Sequence, residues 1–399
     1  MMATSTGPGR PQTSESLLAC NPMEGNGMRQ DRGVEPELLV SAGSVRAAGS
    51  APSPLLTSDH PNEEKELPSM KPSNRWRQLL DQRLHEAVTV LGQTPGVHGL
   101  IVAGSVGRGE PWPMSDIDLL PIYDPTDPAE AAAQLDQRRA ELVDWWAASG
   151  RAQTLDVGWL AFTTTEISDA VAAGPEQAAS RLGDPRWFHG LDKAFGGHAA
   201  DPDDEHTVSF TQWISAARFH PTVVTARIDS WRQQATDALA EATRVQTDDA
   251  VKATRLLRVA ARALRLVLIE QWGERLGSMG REWTRFERMA QRHGHRALAQ
   301  RIAVLAAADT STAALRADLA PPWLQERIDL CYGARIAVGE QVTWAENARD
   351  QIAAFAVHVV NHRPDLDGPW TVTPDPALGT HLAELYELIT RHGSAEAGR

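Results

Sequence analysis

A chain of 399 residues with 42% hydrophobic side chains allows two or three domains with packed cores, which excludes a wholly disordered protein. Its formal charge of -13 is uneven: residues 73–204 carry 10 basic and 20 acidic side chains, whereas residues 205–392 carry 22 of each. Such an acidic field attracts metal ions and polycations, and the basic excess of a bulk nucleic-acid binder is missing, so nucleic acid is not the expected partner. The two cysteines, Cys20 and Cys331, are too few for a disulfide framework or a zinc site and fit a reduced, cytoplasmic setting. The N-terminus has no continuous apolar stretch after its first charge, so no signal peptide is expected. The best candidate for a membrane span, Leu256 to Ile269, is broken by Arg258, Arg262 and Arg265, so no membrane partner is expected either.

Residues 1–72, rich in Gly, Pro, Ser and Glu, read as a disordered tail, or as a segment lying before the true start codon. Order is expected from near Ser73, where Trp76, Leu80, Leu84, Val88 and Leu91 recur at helical spacing. VHGLIVAGS, Val97 to Ser105, reads as a buried strand ending in a glycine turn. DIDLLPIY, Asp116 to Tyr123, reads as a second strand. Asp127, Pro128 and Glu130 then mark a helix start, and that helix runs through Trp145 and Trp146 to about Gly150. TLDVGWLAF, Thr154 to Phe162, reads as a third strand. From about Glu205 the pattern is helical, most clearly over Asp249–Gly273, then Arg281–His293, His295–Ala308, Pro322–Gln351 and Pro376–Arg391. The expected fold is α+β: a small mixed-sheet domain at 73–204 followed by a mostly α-helical domain at 205–392.

The chemistry lies in GSVGRGEPWPMSDID, residues 104–118. Asp116 and Asp118 are one residue apart on a strand and share a face, while Ile117 and Leu119 point to the core. Two like charges on one face repel, so a cation is the natural partner. Asp156, flanked by Leu155 and Val157 on the third strand, can project from the same side; Asp144 and Glu166 are nearby alternatives. Gly104 allows a tight turn, Ser105 offers a hydroxyl and an N–H, and the Arg108 guanidinium matches phosphate geometry.

This pattern of Gly-Ser, about ten residues, then Asp-x-Asp resembles the signature of the polymerase beta-type nucleotidyltransferase superfamily, in its minimal and aminoglycoside-modifying branches. The resemblance covers about Val97 to Phe162, and the helical region is more loosely similar to the substrate-binding domain of aminoglycoside nucleotidyltransferases. It implies Asp116, Asp118 and Asp156 as catalytic ligands of two Mg²⁺ ions, with Gly104, Ser105 and Arg108 on the nucleotide. It further implies transfer of a nucleoside monophosphate from ATP, or another nucleoside triphosphate, to a hydroxyl of a small molecule. Modification of a protein or tRNA, and a non-catalytic nucleotide-binding module, are the alternatives. The helical region has one lysine, Lys252, so a phosphate-binding lysine there is missing or replaced by arginine.

Other patterns have simpler readings. Arg255, Arg258, Arg262 and Arg265 share a helix face, expected to be solvated rather than to face phosphates or RNA. Arg288 and His293 match the Arg-x4-His spacing of helical RNases of the HEPN family, but a helix-terminal His before Gly294 is the plainer reading. Glu166 is either a general base or a helix-start charge, and the second is favoured.

Overall fold

The computed structural model describes residues 75–393 except 151, 159, 278 and 279, so the tail expected at 1–72 lies outside the described residues. The chain is α+β and mostly helical, with one small mixed sheet. Helix α1 (Arg75–Gly92) leads into β1 (Val97–Val102), the one-turn α2 (Gly104–Gly107) and β2 (Ile117–Tyr123). Helix α3 (Pro128–Ala148) starts as its sequence dictates: Asp127 accepts the Glu130 N–H, with Pro128 at the first helical position.

The third strand is not continuous. It divides into β3 (Leu155–Val157) and β4 (Phe162–Thr163), because Gly158 takes a φ of +111° between them. Both pieces pair parallel with β2, which also pairs antiparallel with β1. Next comes α4 (Thr164–Ala173), whose start Glu166 marked in the sequence, and then elements that were not anticipated: a 3-10 turn at Pro175–Arg181, α5 (Pro185–Ala194) and the short β5 (His198–Ala199), which pairs antiparallel with β1.

Alternation along β2 assigns its two faces. Ile117, Leu119 and Tyr123 pack with Leu100 and Val102 under α1 and α3. Leu120 and Ile122 face the other way, with Ile101, Phe162 and Trp187. Helix α6 (Glu205–Ala217) covers this second face with Phe210, Trp213 and Ile214. Asp118 has the parity of Leu120 and Ile122, so it opens the α5-facing side of the sheet.

Helices α7 (Pro221–Val245) and α8 (Ala250–Gln271) form a long antiparallel pair at the centre of a helical core. Against them pack α9 (Glu282–Arg292), α10 (Arg296–Leu305) and α14 (Leu378–His392), while α11 (Thr310–Asp318), α12 (Pro322–Ala337) and α13 (Trp344–His362) form a smaller core of their own around Leu324, Ile328 and Ile352. The segment read as one helix over Pro322–Gln351 is two, α12 and α13, parted where Gly339 adopts a φ of +76°.

The arginine stripe of α8 is not a solvated face. Arg265 is buried, pairs with Glu282 at 2.9 Å and lies 4.4 Å over the Trp283 ring. Arg258 and Arg262 donate to the carbonyls of Thr371 and Ala353, and Arg255 pairs with Asp367. The C-terminal segments cover the stripe, and their carbonyl oxygens take the place of water.

Candidate active site

The site forms where three backbone segments meet at the start of β2. Asp118 and Asp156 are register partners on the parallel strands β2 and β3. Ile117 N–H donates to Thr154 O at 3.0 Å and Ala103 N–H to Asp118 O at 2.9 Å, so sheet-type bonds fix the carboxylate strand against both neighbours. Gly104 has a φ of +62°, and a Cβ there would overlap Asp118 Oδ2. Only glycine lets this turn pass so close to the carboxylate. The loop that follows is tied down internally. Ser105 Oγ and Ser115 Oγ share a hydrogen bond of 2.8 Å, Trp112 N–H donates to Ser115 Oγ at 3.0 Å, and Glu110 N–H donates to Ser105 O at 2.9 Å. The Ser105 hydroxyl is thus engaged in shaping its own loop.

Lys193, on α5, was not singled out from the sequence and enters this site. Its Nζ lies 2.6 Å from Asp118 Oδ1 and 3.4 Å from Asp156 Oδ2. The short contact is charge-assisted, and the Lys193 ammonium is the partner of the buried Asp118 Oδ1. Burial pushes the Asp118 carboxyl up to about 6, Lys193 opposes the shift, and the like charges of Asp116 and Asp156 add to it. Burial raises Asp156 as well, against the same ammonium. Burial works against the Lys193 charge, yet Asp118, Asp116 and Asp156 hold its pKa above the usual ammonium range. Asp116, just before β2 and half-buried, acts on all three of these groups through its charge.

The other sequence candidates divide. Glu166 closes a capping box with Thr163 at the start of α4 and pairs with Arg186 at 2.8 Å, so it is a helix-start charge. His293 is the C-cap of α9, stacked on Trp272 with ring centroids 5.1 Å apart, and Arg288 pairs with Glu340 at 3.2 Å. Arg108 caps the short α2 and lies against Gly196, where a Cβ would come within 2.9 Å of Arg108 Cγ. Its guanidinium faces the helical region, close enough to Arg275 and Arg285 to feel their charge.

Helix α5 holds Lys193 in place through its neighbour. Asp192 Oδ1 accepts from Arg218 Nε at 2.9 Å. Arg218 in turn grips Glu270 with two bonds of 2.9 Å, and Arg227 Nε donates to Glu270 at 2.6 Å and Nη1 to Phe188 O at 2.6 Å. Although burial alone would raise the Asp192 carboxyl, Arg275, Arg218 and Arg227 hold it far below the usual carboxylate range. This network locks α5 to α7 and α8, so adjacent residues serve two directions: Asp192 faces arginines and Lys193 faces carboxylates.

No family model matches the chain, and no curated protein and no solved structure matches it. Among the described residues, no helix is long and apolar enough to cross a membrane, and no group of three or more His, Cys, Asp or Glu side chains is arranged to hold a metal ion. The position between Asp118 and Asp156 is taken by the ammonium of Lys193. The donor chemistry nevertheless suits a hard divalent cation, because the oxygens that face the Lys193 ammonium are all carboxylate.

The signal that could have found Lys193 is its rarity. After residue 72 the chain has only two lysines, Lys193 and Lys252.

Proposed function

We propose that the chain is a Mg²⁺-dependent nucleotidyltransferase that moves a nucleoside monophosphate, AMP by preference, from a nucleoside triphosphate to a hydroxyl of a small cationic acceptor of the aminoglycoside kind. The observation that carries this reading is the register pairing of Asp118 with Asp156 beside a glycine turn that only glycine can make. Asp116, Asp118 and Asp156 would hold the metal, which when bound neutralises charge on the phosphate oxygens.

The chain's own residues supply the rest. The Gly104 turn lets backbone approach a phosphate, and Arg108 offers a guanidinium a few residues on. Asp156, more exposed than Asp118 and raised above the usual carboxylate range, is positioned to accept the proton of the acceptor hydroxyl. That oxygen forms a bond to the α-phosphorus, the bond from the α-phosphorus to the bridging oxygen breaks, and pyrophosphate leaves. The acidic excess of residues 73–204 favours a cationic acceptor over a nucleic acid.

A second reading, a non-catalytic nucleotide-binding module, draws on Lys193, whose ammonium neutralises the carboxylates without any metal. Incubation with ATP labelled at the α-phosphate, Mg²⁺ and a panel of aminoglycosides, tRNA and cell lysate separates the readings. Label on a small molecule is the expected result. Label on a macromolecule alone would overturn the acceptor class. Tight ATP binding with no transfer would favour the second reading.

A further inference from the structure

A second charged cluster gathers about Arg108, Glu110 and Trp112 of the 104–112 loop, and its sign is opposite to that of the carboxylates. Arg108 projects from this loop, and the helical region contributes Arg275, from the segment after α8, with Arg281 and Arg285 from the start of α9. Two of these side chains are more than nine-tenths buried and incompletely bonded. Arg108 is 9% exposed, and its Nε and Nη1 have no hydrogen-bond partner. Arg281 is 8% exposed, its Nε and Nη2 have none, and its guanidinium lies 4.5 Å over the Trp112 ring. Arg275 Nη2 donates to Asp192 O at 3.0 Å, but its Nε is also buried without a partner. Arg285 donates to Leu276 O at 2.9 Å through Nη1.

The anions present are too few and too distant to balance this charge. Glu110 is the carboxylate that acts on Arg108, Arg281 and Arg285 together, and it is mostly exposed, 3.9 Å from Arg108 Nε and 3.7 Å from Arg285 Nη2. Glu340 lies 3.8 Å from Arg281 but is committed to Arg335 at 2.9 Å, and Asp192 is shared between Arg218 at 2.9 Å and Arg275 at 3.6 Å. A guanidinium is a poor candidate for neutralisation by proton loss, and unpaired N–H groups in a dry setting are costly. Two guanidiniums without a close partner, Arg108 and Arg281, with the partly bonded Arg275 beside them, therefore call for an anion with many acceptor oxygens.

We propose that Arg108, Arg275, Arg281 and Arg285 form a polyphosphate site between the sheet unit and the helical region. Anion binding rests on the arginine geometry alone. Its identification with the β- and γ-phosphates of a donor nucleotide rests on the function proposed above. On this account α9 supplies by arginine the phosphate contacts for which the helical region has no suitable lysine. Glu110 is the resident counter-charge that the ligand displaces.

The test is titration calorimetry of the full chain with inorganic triphosphate, and separately with ATP, in EDTA so that the carboxylates contribute no metal. The wild-type chain is expected to bind both. Arg281→Gln and Arg285→Gln should each weaken binding tenfold or more, and Glu110→Gln should strengthen it several-fold. Arg301→Gln, on the exposed side of α10 and paired with Glu384, should leave triphosphate binding intact. No triphosphate binding by the wild type, or equal binding by folded Arg281→Gln and Arg285→Gln chains, would overturn the site. If Arg281→Gln fails to fold, the Glu110→Gln affinity decides, since an unchanged value contradicts a displaced counter-charge. ATP binding indifferent to Arg285→Gln, with triphosphate binding sensitive to it, would overturn the assignment to the donor. Triphosphate binding without nucleotide transfer to any acceptor would leave the anion site standing and remove the catalytic reading.

Discussion

The two faces of α5 meet two kinds of buried charge. On one side, Asp192, Arg218, Arg227 and Glu270 form a closed set in which Glu270 receives three directed bonds of 2.6–2.9 Å. On the other, one ammonium, Lys193, faces three carboxylates, so negative charge is left in excess. A saturated network suits a joint between helices, because breaking any member strands a buried charge. An unsaturated one suits a site whose missing partner arrives from solvent. The arginines around Arg108 and Trp112 belong with the second kind, with the opposite sign.

Deleting members of each network sharpens this contrast. Glu270→Ala leaves Arg218 and Arg227 buried without their carboxylate, so urea unfolding should show a loss of about 3–5 kcal/mol. Asp118→Asn should cost far less stability, because burial already makes the ionised Asp118 unfavourable. Equal costs would erase the distinction between joint and site.

His189, on the joint side, gives a pH signature. Burial and then Arg227 push its imidazole down from 6.5 to about 4. The folded chain thus binds fewer protons than the unfolded chain between those values. The stability this group contributes is complete above 6.5 and is lost as pH falls through about 4, amounting to roughly 3 kcal/mol. His189→Phe should flatten the acid limb of a stability–pH profile by about that amount, and an unchanged limb would contradict the assignment.

Gly104→Ala perturbs the site side. With a φ of +62° and Asp118 in the way, the alanine should cost about 1–3 kcal/mol and lower nucleotide transfer by roughly a hundredfold. The smallest effect is expected at Arg288→Ala, whose exposed pairing with Glu340 should be worth under about 1 kcal/mol in thermal unfolding.

What could be read along the sequence, and what could not, follows from range. The α3 cap at Asp127, the parity of Asp118 against Ile117 and Leu119, and the helical text of α8 are local patterns, and local physics decides them. The break at Gly158 was not legible, because a glycine inside an apolar run reads equally as strand or bulge. Lys193 and the arginines of α9 stayed hidden because chain separation conceals them. Lys193 reaches Asp118 across 75 residues, and Arg281 lies over Trp112 across 169. The α8 stripe was misjudged for the same reason, since its cover arrives from the C-terminal segments.

Transfer of α-phosphate label from ATP, followed with wild-type, Asp118→Asn and Asp156→Asn chains at matched folded fraction, tests the central claim most directly. The account predicts transfer by the wild type and a fall of roughly a thousandfold or more in each variant. Transfer that persists in both folded variants would show that these paired carboxylates are not where the reaction takes place.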